Sequence, residues 1–207
     1  MDFWTREDSQ LELPPGARID PEDPPKPHPG ELARWVREVR GGILSGAFYL
    51  ERNMNMAVEA FFLGPLHGRG EKSELFGEAL LSALNFERRS KAALLVAERI
   101  RPDDVKELRE GVNQLRAIRN AMAHNFCWFT GKPDDVGIVR RLEVFVRMGK
   151  GTVQLDAKRV SEWNDLMQRM IHATARLAAK AVDPQSDETP TAPPGMYDDV
   201  RPQENGG

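Results

Sequence analysis

The sequence predicts an all-α fold: a helical bundle of four to five helices with a small β-hairpin before the last helix, and disordered, proline-rich acidic termini. Three observations carry this. Across the middle of the chain apolar residues recur at steps of three and four, the spacing of one helix face. One short stretch, Leu142 to Leu155, instead alternates at a period of two around Gly149-Lys150-Gly151. Prolines collect at the ends, with seven of the 15 in residues 1–30 and five in residues 183–207.

Charge divides the chain at the same places. Residues 1–30 carry seven acids against three bases, a net of −4, and residues 183–207 carry six acids against one base, a net of −5. The whole chain of 207 residues has a net charge of −3, so residues 31–182 hold +6. Acidic, proline-rich, aromatic-poor ends bury too little surface to offset their ordering entropy. The chain thus reads as three parts: an N-terminal arm over 1–30, a folded helical domain over 31–182 and an acidic tail over 183–207. Phe3 and Trp4 are the exception in the arm, apolar enough to dock on the body. A basic body suits a polyanionic partner, although such a charge is also ordinary surface variation.

Each element has its own local signal. Leu32, Val36, Val39, Ile43, Ala47, Leu50, Met54, Ala57 and Phe61 form one stripe of a long helix from Glu31 to Leu63. Gly41, Gly42 and Gly46 weaken that helix locally, and Gly64-Pro65 ends it. Two helical pieces run from Ser73 to Leu84 and from Asn85 to Ile100, with Asn85 as the cap between them. Pro102 opens the next helix, which places Asp103 and Asp104 at its amide-rich start and ends near His124. After the hairpin, Asp156 caps a last helix whose stripe is Val160, Trp163, Met167, Met170, Thr174 and Leu177.

Several classes are set aside. No stretch has the roughly 18 consecutive apolar residues of a membrane span, and the first residues lack the basic start and apolar centre of a signal peptide. The expectation is a soluble, cytoplasmic protein. The single cysteine, Cys127, excludes an intrachain disulfide framework and a cysteine-rich zinc site. No cluster of histidines and carboxylates has metal-ligand spacing, so no metal or cofactor is expected.

Chemistry concentrates in the helix from Asp103 to His124. Val105, Leu108, Val112, Leu115 and Met122 form its apolar stripe, and Arg119 falls within the same stripe. A guanidinium cannot shed its charge, so that position demands a partner or a task. Asn120 and His124 come next on one side of the helix, His124 roughly 140° round from Arg119 at about 100° per residue.

Leu115-Arg116-Ala117-Ile118-Arg119-Asn120-Ala121-Met122-Ala123-His124 resembles the signature of HEPN domains (higher eukaryotes and prokaryotes nucleotide-binding): an Arg, a following polar residue and a His at the end of a bundle helix. The likeness extends in layout over about residues 31–182. It implies a homodimer that cleaves RNA without metal, Arg119 and His124 of both subunits lining one cleft and Asn120 orienting them. Imidazole titrates near neutrality and can take the proton of a ribose 2′-hydroxyl or supply one to the leaving oxygen. Arginine offers a fixed fork of donors to the phosphate. Arg116, Asn125 and Trp128 are the neighbouring candidates for substrate contact. The resemblance further implies a toxin or phage-defence role, with RNA as substrate and an antitoxin or regulatory protein as a further partner. Some members carry a tyrosine two residues after the histidine, modified by a partner nucleotidyltransferase; Phe126 stands there instead. The alternative is a catalytically inactive HEPN-like module that binds RNA, nucleotide or protein. In that reading Arg119 pairs with a carboxylate such as Glu59 and His124 merely caps its helix.

Other features have plainer readings. The loop around His67 is glycine-rich and basic but lacks the spacing of a phosphate-binding motif. Glu87-Arg88-Arg89-Ser90-Lys91 is a charged helix face, and Phe126, Trp128 and Phe129 either stack on bases or fill a core.

Overall fold

A computed structural model describes residues 9–64 and 70–183. The arm's Phe3 and Trp4, the loop around His67 and the acidic tail beyond Asp183 lie outside the described residues. Among those described, five α-helices and four strands run in the order β1 (Ser9–Leu11), α1 (Pro29–Leu63), α2 (Gly70–Phe76), α3 (Phe86–Ile100), α4 (Val105–His124), β2 (Cys127–Thr130), β3 (Glu143–Met148), β4 (Gly151–Leu155) and α5 (Ala157–Val182). A π-helical turn, Gly77–Leu81, extends α2, and a 3-10 turn, Pro102–Asp104, precedes α4. No helix among the described residues is long and apolar enough to cross a membrane.

The chain is mostly helical, but the expected all-α class needs correction: the hairpin β3–β4 belongs to a four-stranded mixed sheet in the order β1-β2-β3-β4. β2 runs antiparallel to β3 and parallel to β1, with Ser9 opposite Cys127 and Leu11 opposite Phe129. The expectation of a disordered arm over residues 1–30 is corrected for residues 9–28. Besides β1, Arg18 bridges to Ile138, and the Lys26 amide donates to the Arg140 carbonyl at 3.2 Å. Arg140 also ties the arm by charge, its Nη1 2.6 Å from Asp23 and its Nε 3.1 Å from Asp134. Prolines present no amide, so this polar segment needs few partners to lie along the β2–β3 connection.

The described residues divide into two compact units, and α1, α4 and α5 each supply residues to both. The first unit comprises residues 9–44 and 117–163. Leu32, Val36, Val39 and Ile43 of α1, Ile118 and Met122 of α4, and Val160 and Trp163 of α5 are buried in it, together with the inner face of the sheet, Cys127, Phe129, Val144, Val146 and Leu155. Two local devices shape its edges. His28 opens α1: its Nδ1 accepts from the Gly30 amide while its own amide donates to Glu31. Gly131 is required where β2 ends, because a Cβ there would collide with the Arg141 carbonyl and Val139.

The second unit comprises residues 45–64, 70–116 and 164–183. Leu50 and Met54 of α1, Val96 of α3, Val112 and Leu115 of α4, and Met167, Met170 and Leu177 of α5 are almost wholly buried in it. Asn85 caps α3, its Oδ1 accepting from the Arg88 amide at 3.0 Å. Asn53 is part of the packing, its amide donating to the Ile171 carbonyl at 3.1 Å. Gly111 leaves the space that Met170 fills.

Candidate functional site

The described stretch of the first unit that gathers the sequence-derived candidates is the end of α4 and the strand after it. Beyond Leu115 the buried positions of α4 are Ile118, Ala121 and Met122. At about 100° per residue these lie to one side of Arg119, which sits half-buried at the border of the apolar arc rather than within it. Its Nη1 donates to Asn120 Oδ1 at 3.2 Å, and among the described residues no carboxylate pairs with it. Asn120 is exposed, so the two side chains form one polar couple at the surface.

His124 is the last residue of α4 and is exposed. Among the described residues nothing hydrogen-bonds its imidazole. Its backbone, in contrast, is anchored through the adjacent Asn125. The Asn125 amide donates to Ala121 at 3.1 Å, and the Asn125 carbonyl accepts from Arg40 Nη2 at 2.9 Å. The Asn125 side chain donates to the Arg147 carbonyl at 2.6 Å. Asn125, expected to touch substrate, therefore joins α1, α4 and β3 around the histidine.

Trp128 lies on β2 between two buried neighbours, Cys127 and Phe129, and alternation turns it to the other face of the sheet. It stacks on Phe145 of β3, ring centroids 6.0 Å apart and planes 23° from parallel. Sequence reasoning misses Phe145 although the signal is there: it stands between Val144 and Val146, both buried, and so must face away from them. Phe129 fills the core, and Phe126 is exposed.

Arg116 belongs to the second unit and is engaged there, 3.2 Å from Glu87. Glu87 also takes Lys91 at 2.8 Å; the Lys91 hydrogen bond, then the charges of Lys91 and Arg116, hold its carboxyl below the ordinary range. Within the same charged face, Arg89 is turned to Glu51.

One cavity, about 670 Å³, lies at the opposite end of the strands, its lining drawn from α1, with Trp35 and Glu38, and from the strand ends, with Leu142, Val144 and Leu155. No three His, Cys, Asp or Glu side chains among the described residues gather closely enough to hold a metal ion. Compared with known proteins, the chain matches no family model, no curated protein and no solved structure.

Proposed function

We propose that the chain is a metal-independent endoribonuclease of the HEPN type, acting as a homodimer with RNA as its substrate. The observation that carries this reading is an exposed imidazole on a fixed backbone, His124, to which no described residue hydrogen-bonds, with the Arg119–Asn120 couple just over one turn before it on the same helix. Within one copy the arginine and histidine point roughly 140° apart. A second copy related by a twofold axis removes that difficulty, since each phosphodiester then meets groups from two helices.

The chemistry balances without a further reactant. One imidazole takes the proton of the 2′-hydroxyl as that oxygen attacks phosphorus. A second, His124 of the partner subunit, gives a proton to the departing 5′-oxygen. The products are a 2′,3′-cyclic phosphate and a 5′-hydroxyl. Arg119 stabilises the charge that grows on the non-bridging oxygens, and Asn120 keeps its guanidinium in place.

Labelled RNA incubated in EDTA tests the proposal. His124→Ala and Arg119→Ala are each expected to lower cleavage by about 10²-fold or more while helicity by circular dichroism is unchanged. Equal cleavage by the wild type and both variants rejects the assignment. Retention of RNA without turnover by the wild type makes the chain a binding module instead. The toxin or defence role predicts growth arrest on induction, relieved by His124→Ala.

A further inference from the structure

The strand register assembles an outer face that local sequence does not reveal. Gln10, Trp128, Phe145 and Gln154 stand opposite one another on β1, β2, β3 and β4, forming one cross-strand row. The inward positions on either side, Cys127, Phe129, Val144 and Val146, are buried, so the row points away from the core. Gln10 and Gln154 are exposed at its ends, and Trp128 and Phe145 are half-buried and stacked on each other. Two large rings on a sheet face surrounded by exposed polar residues forgo burial that the core would have provided, which points to a ligand with flat faces of its own.

Charge gives the face a direction. On the row nearer His124, Arg147 stands opposite Thr152; both are exposed, and among the described residues the Arg147 guanidinium forms no ion pair. Lys150 is exposed in the turn just beyond. On the row farther away, Glu143 stands opposite Thr130. Rings in the middle with cations on one side suit a strand whose bases stack and whose phosphates lie toward Arg147. The rings and cations also adjoin the catalytic candidate, because the Arg147 carbonyl holds Asn125, the residue after His124.

We infer that the outer face of the sheet, through Trp128, Phe145 and Arg147, is a stacking surface that holds unpaired bases of the RNA beside His124. The inference rests on the ribonuclease reading for the identity of the strand and adds to it a binding surface apart from the reacting groups, one suited to unpaired bases and not to a duplex, whose bases are already stacked on one another.

The test is anisotropy of a labelled, uncleavable deoxyoligonucleotide of about eight nucleotides, a length a small stacking surface can hold. Trp128→Leu and Phe145→Leu retain apolar bulk and remove the rings; each is expected to weaken binding about ten-fold, with circular dichroism unchanged. Arg147→Ala is expected to reduce the slope of log affinity against log salt by about one. A 2-aminopurine in the strand should be quenched on binding the wild type, a readout that depends on no variant. Undiminished affinity in folded Phe145→Leu, absence of quenching, equal binding of a duplex, or a change of oligomeric state in place of affinity each overturns the inference and leaves the cleavage assignment standing. Ring-dependent binding by a wild type that cleaves no RNA overturns the cleavage assignment instead and keeps the stacking surface.

Discussion

Asp134 organises the connection between β2 and β3 with a single carboxylate. Its Oδ1 accepts from the Ile138 amide at 2.9 Å and the Val136 amide at 3.1 Å, and its Oδ2 takes Arg140. The Ile138 amide contributes most to holding this carboxyl below its ordinary range; the Val136 amide and Arg140 add to it, and desolvation opposes it. A carboxyl whose folded value is depressed adds stability above its unfolded value, about pH 4, and that stability is lost as pH falls through the lower folded value. Asp134→Asn should therefore lower the urea midpoint at pH 7, with a smaller gap between variant and wild type at pH 3. An equal gap at both pH values would mean the charge is irrelevant. The residue scale also separates what can be foreseen from what cannot. Asn85 and Asp156 announce themselves as caps, since a short acceptor precedes each apolar stripe, and both accept as expected, Asp156 from the Arg159 amide at 2.7 Å. The role of Asn125 depends on a carbonyl 22 residues away, and no neighbouring residue signals it.

Among the elements, the helices are legible because their patterns are long. All six stripe residues foreseen for α5 are buried, as are eight of the nine for α1, and α1 runs unbroken through Gly41, Gly42 and Gly46. The exception, Phe61, is 40% exposed and lies in the last turn of the helix. The periodicity sets Arg119 one position too deep because the stripe, read through Leu115, shifts to Ile118 by the next turn. β1 and β2 escape notice for another reason. Three and four residues are too short to show a period, and β1 pairs with a strand more than a hundred residues distant. The strand matters nonetheless: it covers one edge of β2 and carries three registered positions. Deleting residues 1–11 should lower the denaturation midpoint and promote self-association by the bared edge, measured by urea titration and light scattering. An unchanged midpoint would return the arm to the disordered class.

For the whole molecule, the proposed function takes its reacting groups from the α4 motif and completes the site with a second copy. If each cleft draws on two subunits, specific activity must fall as the enzyme is diluted through its dimer dissociation constant. Plotting rate per mole of chain against concentration, alongside sedimentation, checks this. A flat plot spanning the monomer–dimer transition would place the whole reaction in one copy. Mixing the wild type with His124→Ala sharpens the test: heterodimers keep one imidazole where the mechanism needs two, so activity should fall with the square of the wild-type fraction, whereas a proportional fall would place the reaction in one copy.

The parallel pairing of Ser9 with Cys127 also bears on how the protein should be handled. Ser9 stands on the sheet opposite the residue that is two after Asn125 and one before Trp128, next to the groups assigned to substrate. A reporter joined directly to Ser9 is expected to crowd those groups and imitate a loss-of-function lesion. Assays of this protein should carry such fusions at the other end of the chain.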